Sequence, residues 1–151
     1  MGNLPGGVQS CSRGAKASRR HRTLITGDIY LQEYRDWIEK RCAEAGITAL
    51  LPLWQINTAQ LITDFLDAGF KAIIVSLKAD IMDKKLLGRQ LDSGLVNELR
   101  RRDIDPCGEA GEFHTFVYDG PGFQQTITIK NSTSVLRDDR WFLSITEYSL
   151  G

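Results

Sequence analysis

The chain reads as α/β: a partial strand–helix–strand sheet with parallel pairing, followed by a smaller α/β domain that ends in antiparallel strands. Three observations predict this. An extended stretch at Leu24 to Ile29 precedes Leu31, Tyr34, Ile38, Cys42 and Ala45 at three- and four-residue steps, and extended chain returns at Thr48 to Leu53. An uninterrupted apolar run, Ala72 to Val75, lies between two helical patterns. Toward the end the period falls to two, through Ile127, Ile129, Trp141, Leu143 and Ile145.

Residues 1–22 are rich in Gly, Ser and Arg with few apolar groups, so they cannot offset their ordering entropy and are expected to form a disordered basic tail. The next segment, 23–56, is a strand, a helix and a strand. Gly46 is placed to close the helix in the left-handed region, and Pro52 marks the exit of the second strand. Strand, helix, strand favours parallel pairing through a right-handed crossover.

The second domain, 57–151, opens with Asn57 as a helix cap, Gln60 placed to complete a capping box, and Leu61, Ile62, Phe65 and Leu66 as the buried stripe. Gly69 ends that helix. The run Ala72 to Val75 reads as a strand covered on both faces. Helices are expected at Asp80 to Leu87, stopped by Gly88, and at Asp92 to Arg102, with Leu95, Val96 and Leu99 inward. A strand at Phe113 to Tyr118 leaves a Gly-rich loop, Asp119-Gly120-Pro121-Gly122 turns the chain, and Thr126 to Lys130 and Arg140 to Tyr148 close an antiparallel sheet.

At 151 residues the chain is long enough to bury about 70% of the surface its unfolded form exposes. No apolar run approaches the roughly 20 residues of a membrane span, so no membrane role is expected. Three widely spaced cysteines, Cys11, Cys42 and Cys107, argue against a disulfide framework and for reduced thiols in the cytoplasm. Basic and acidic residues number 19 each, but five basic residues precede the first acidic one, Asp28, leaving 14 against 19 beyond it. That acidic body is a poor nucleic-acid surface.

The densest chemical signal is Cys107-Gly108-Glu109-Ala110-Gly111-Glu112-Phe113-His114-Thr115. Glycines allow positive φ and close approach of a ligand to the backbone, while Glu109 and Glu112 are suited to a Mg²⁺ ion, a cationic group or a proton in transit. Three other readings compete. Cys107, Glu109, Glu112 and His114 would form a metal set, though their spacing matches no common zinc pattern. Cys107 and His114 would form a thiol–imidazole pair. The loop would otherwise be an ornate turn with solvated carboxylates. A second cluster, Thr26-Gly27-Asp28 with Arg35, falls at the carboxyl end of the first strand, where open α/β sheets bind ligands. Its alternatives are Asp28 as a helix cap and Arg35 as a surface pair with Glu33 or Glu39.

Taken in order, Gly27-Asp28-Ile29, Tyr34-Arg35-Asp36-Trp37-Ile38-Glu39, Pro52-Leu53-Trp54, Ala68-Gly69-Phe70-Lys71-Ala72, Asp105-Pro106-Cys107-Gly108-Glu109, Gly111-Glu112-Phe113-His114-Thr115-Phe116 and Asp119-Gly120-Pro121 resemble the diphthine-ammonia ligase-like family, from about Ile25 to Phe123. The loop departs from the family pattern at Ala110. The resemblance implies an N-terminal domain of the nucleotide alpha hydrolase type, of which residues 23–56 look like the last strand–helix–strand, and a C-terminal acceptor-binding domain. It implies ATP and Mg²⁺ as cofactors, with a carboxylate of diphthine on elongation factor 2, or another protein acceptor, activated as an adenylate and attacked by ammonia. Carried onto this chain, Gly27, Asp28 and Arg35 would be nucleotide-binding, Glu109, Glu112 and His114 catalytic, and Gly108, Gly111 and Thr115 substrate-binding.

The family opens with Ser-Gly-Gly-Lys-Asp-Ser after a strand, whose backbone donors cradle phosphates. Gly14-Ala15-Lys16-Ala17-Ser18 echoes it without the acidic residue or the strand. The expectation is therefore that this stretch does not turn over alone and that it pairs with a separate nucleotide-binding subunit or with itself, since a half-sheet leaves open edges. A module that binds a small ligand or modified side chain without turnover is the alternative. An RNA role for the basic tail is the third.

Overall fold

Cys42 and Ile38, one helical turn apart, are buried on the same face of a helix whose remaining positions are mostly polar. This helix and its flanking strands appear as expected in the computed structural model, which describes residues 22–151. The expectation of a disordered leader falls on residues 1–21, outside the described residues. The chain divides into two compact units at Gln55 and Ile56.

In the first unit, β1 (Thr23–Ile25) and β2 (Thr48–Leu50) pair in parallel, Thr23 opposite Thr48 and Ile25 opposite Leu50. The helix α1 (Gln32–Glu44) crosses between them and ends as Gly46 turns to φ +65°. Both strands are shorter than the apolar stretches suggested. The last parallel bond runs from Thr26 N–H to the Leu50 carbonyl, and beyond it the chain breaks into loops joined where Gln55 N–H donates to the Ile29 carbonyl at 2.7 Å. Asp28 does not cap α1: the N-cap is Leu31, with no side-chain bond.

In the second unit, Asn57 caps α2 (Thr58–Asp67), its side-chain oxygen accepting from the N–H groups of Ala59 and Gln60. The capping box does not form, because the Gln60 amide donates forward to Asp64 at 2.7 Å instead of back to the cap. Next come β3 (Lys71–Lys78), α3 (Ser93–Arg101, capped by Asp92), β4 (Phe113–Asp119), β5 (Ile127–Arg137) and β6 (Arg140–Leu150). The expected helix at Asp80 to Leu87 is only a single 3-10 turn, Lys84–Leu86, opened by the Asp83 side chain. After Gly88, at φ +75°, residues 88–91 bond to β3 at Ile74 and Ala72 instead of forming more helix.

The sheet order is β4-β3-β6-β5, all antiparallel. One face carries the core: Ala72, Ile74 and Leu77 from β3 and Phe113 from β4 meet Ile62, Met82, Leu86, Leu91, Leu95, Val96, Leu99 and Ile104. Between Ile74 and Ser76 the register with β4 slips, so two residues of β3 oppose one step of β4. That bulge reverses which residues face inward. Ile74 and Leu77 both reach the core, while Ser76 pairs with His114 on the opposite, outer face. No helix among the described residues is long and apolar enough to cross a membrane.

Removing the cap oxygen leaves two helix N–H groups without their partner. Asn57→Ala is expected to lower stability by about 1 kcal/mol, while Gln60→Ala changes it little; urea unfolding of the two variants checks this, and equal losses would contradict the cap geometry.

Candidate functional site

The loop before β4 is shaped by its glycines and by Asp105. The Asp105 carboxylate accepts from Cys107 N–H at 2.9 Å, its carbonyl accepts from Gly108 N–H at 2.9 Å, and the Gly108 carbonyl accepts from Gly111 N–H at 2.9 Å. Two successive tight turns result. Gly108 and Gly111 sit at φ +67° and +77°, where side chains are strained. Gly108 has a second constraint, since a Cβ there would stand 2.7 Å from the Phe113 carbonyl oxygen.

The two loop glutamates have different surroundings. Glu109 lies close enough to Cys107 for its charge to act on the thiol. Glu112 immediately precedes β4: its carbonyl accepts from Lys78 N–H at 2.8 Å, and its Oε2 is buried without a hydrogen-bond partner. Among the described residues no three His, Cys, Asp or Glu side chains converge as a metal site would require, so the reading that recruits Cys107, Glu109, Glu112 and His114 for one ion is set aside. The thiol–imidazole reading fails as well. The Cys107 sulfur donates to the Thr58 carbonyl at 3.4 Å, and burial, then Asp105 and Glu109, push its pKa up to about 11, away from the thiolate a nucleophile needs.

Instead, the loop joins residues from β3, β4 and β6 on the outer face. Ser76, almost fully buried, stands opposite His114 across β3 and β4. Arg140, at the start of β6 and opposite Lys78, donates through Nη1 to the Gly111 carbonyl at 2.8 Å and through Nε to Ser76 Oγ at 3.3 Å. Its Nη2 is buried without a partner. Partial burial of its ring, and then the charge of Arg140, hold the His114 imidazole below the usual histidine range, so it is neutral at pH 7. Thr115 is exposed one residue further along β4. Beyond this polar end lies a groove of about 310 Å³ with Ile73, Tyr118, Ile127, Ile129 and Leu143 in its wall.

Ser76 and Arg140 did not emerge from the sequence. Ser76 interrupts an apolar strand and reads as a weak core position until the bulge is known. Arg140 is 29 residues from Gly111 and looks like the first polar residue of a hairpin strand. Only the register of β6 against β3 brings it to the loop.

In the first unit, Thr26, Gly27 and Asp28 follow β1 at its carboxyl end. Thr26 Oγ1 is buried without a partner, and the space where Gly27 would carry a side chain is open. Arg35 does not stand free as an anion hook. Its Nε donates to Glu39 at 2.8 Å, and its guanidinium lies 4.9 Å from the centre of the Trp54 ring, just after β2.

Fold and site together define a two-unit α/β protein whose second unit presents a glycine-shaped acidic loop, a neutral imidazole and a guanidinium at one end of an antiparallel sheet. Residues 57–150 match the diphthamide synthase C-terminal domain, and the chain belongs to that family. Among curated proteins, it is similar to the diphthine–ammonia ligase of Schizosaccharomyces pombe, 31% identical over 115 residues that cover 74% of this chain and 19% of that protein. The Mus musculus diphthine–ammonia ligase is 30% identical over 117 residues, 75% of this chain and 44% of that protein, and that of Danio rerio 29% over 126 residues, 81% and 49%. The chain therefore spans less than half the length of these relatives. The family resemblance legible in the sequence is confirmed.

The two loop glycines should respond differently to a methyl group. Gly111→Ala adds only left-handed strain, about 1 kcal/mol, whereas Gly108→Ala also meets the Phe113 carbonyl and should destabilise by at least about 2 kcal/mol. Urea unfolding separates them; equal losses would contradict the close approach at Gly108.

Proposed function

We propose that this chain forms the acceptor side of an ATP-dependent amide ligase of the diphthine–ammonia type, acting on a carboxylate-bearing modified side chain of a protein such as elongation factor 2. The observation that carries the reading is the loop end of β4, where the Glu112 carboxylate has a buried oxygen without a partner and His114, its pKa lowered, follows two residues later. Amide formation from ammonia needs such groups. Ammonium must lose a proton to become a nucleophile, and the nitrogen must lose another once the new C–N bond has formed. Glu112 accepts an N–H and orients the nitrogen, and the neutral imidazole takes a proton. Thr115 and the backbone of Gly108 and Gly111 line the approach.

When bound, ATP would activate the carboxylate as an acyl-adenylate with release of pyrophosphate, and attack by ammonia would then release AMP. Thr26, Gly27 and Asp28 fit the border of a nucleotide site by their position at the carboxyl end of β1, and the buried, unpartnered Thr26 hydroxyl supports this. Arg35, already engaged by Glu39 and Trp54, would brace that border. Mg²⁺ would enter with the phosphates, since the described residues offer no cluster of their own for it. The unpaired thiols of Cys42 and Cys107 fit a reducing, cytoplasmic setting.

The test is amidation of a diphthine-bearing acceptor with ATP and ammonium, using the full protein. Glu112→Gln is expected to lower the rate about 100-fold or more, while Asp103→Asn, exposed at the end of α3, leaves it near the wild-type value. Wild-type protein without amidation, or an undiminished Glu112→Gln variant, would sink the reading. Because the His114 pKa is lowered, the imidazole stays unprotonated at pH 7 and the rate should fall only on the acid side of about 6.5. Stability follows the same sign: the unfolded chain takes up that proton first, so His114 makes the fold less stable as pH falls through about 6.5.

A further inference from the structure

We propose that Arg140 is a positioning residue for the acceptor site, fixing the Gly111–Glu112 end of the acidic loop against β3 so that Glu112 and His114 stand at the same end of the sheet. Two of its nitrogens are committed to this geometry. Nη1 donates to the Gly111 carbonyl at 2.8 Å and Nε to Ser76 Oγ at 3.3 Å. The bond to Gly111 holds the residue just before Glu112, and the bond to Ser76 satisfies the buried hydroxyl that stands opposite His114. A single guanidinium thus links β6 to β3 and to the loop, which a lysine with its point charge and flexible stem cannot reproduce.

The same position gives Arg140 a second effect. His114 is flanked by Ser76 across the strand pair, with Lys78 two residues further along β3, Phe142 opposite Ser76 on β6, and Glu112 two residues before it on its own segment. Besides these neighbours stands Arg140, whose charge adds to the effect of burial in lowering the pKa of the imidazole. The part Arg140 plays in catalysis rests on reading His114 and Glu112 as acceptor-side groups. Its part in holding them does not.

The test reads the His114 ring protons of the full chain by NMR as a function of pH, with His21→Gln removing the other histidine. Arg140→Gln should move the His114 midpoint upward and shift the amide signals of Gly111 and Glu112, whereas Arg140→Lys should keep the midpoint near wild type while still shifting those amides. Lys78→Gln, which removes the same charge from the neighbouring strand, should move the midpoint less. An unmoved midpoint in a folded Arg140→Gln variant, or an equal shift in Lys78→Gln, overturns the assignment. If Arg140→Gln does not fold, Arg140→Lys decides: it should shift the amide signals of Gly111 and Glu112, because a lysine cannot make both bonds, and unshifted amides in that variant overturn the assignment. None of these readouts needs turnover, so a chain without ligase activity leaves this result standing. Should the ligase activity be present, the acid limb of the rate profile must move upward with the midpoint in Arg140→Gln.

Discussion

Strand β3 must satisfy backbone partners on both edges while burying one face, and the rest of the second unit is arranged around that demand. One edge is taken by β4 along most of its length. The other is shared, with residues 88–91 bonding to its first half and β6 to its last three residues. A strict alternation would place Ser76 inward with Ile74. The bulge at Val75 prevents this, sending Leu77 into the core and Ser76 outward to meet His114 and Arg140. One extra residue in one strand therefore both completes the apolar core and creates the polar end of the outer face.

Much of this architecture was legible because local signals agreed with the tertiary arrangement. Asn57 and Gly46 acted as the sequence suggested, and the alternation after Thr126 became the β5–β6 hairpin. Where reading failed, a competing partner had won. Asp80 to Leu87 carries helix-forming residues, but the demand of β3 for edge partners draws residues 88–91 into pairing and leaves only one 3-10 turn before them. Gln60 prefers the nearer Asp64 carboxylate to the cap. Asp28 lies too far before α1 to cap it.

The candidate site was legible only in its local half. Glycines at fixed offsets announced the loop, and the residues Glu112 and His114 within it were found together at the head of β4. Arg140 and Ser76 were hidden because register, not spacing, brings them there. The loop glutamates illustrate the same limit from the other side: spacing alone did not show that the charge of Glu109 acts on Cys107, nor that the main chain of Glu112 bonds to β3. On the proposed reading, this loop end offers one carboxylate, one imidazole and one fixed cation, a set suited to moving protons at nitrogen.

Mapping amide chemical-shift changes while the full chain is titrated with a peptide carrying diphthine addresses the central claim most directly. The account predicts that the changes concentrate at Gly108 to Thr115, Ser76 and Arg140, and that they are lost with Glu112→Gln. Changes confined to other surfaces, or none at peptide concentrations that saturate the intact ligase, would contradict the assignment of this sheet end as the acceptor site.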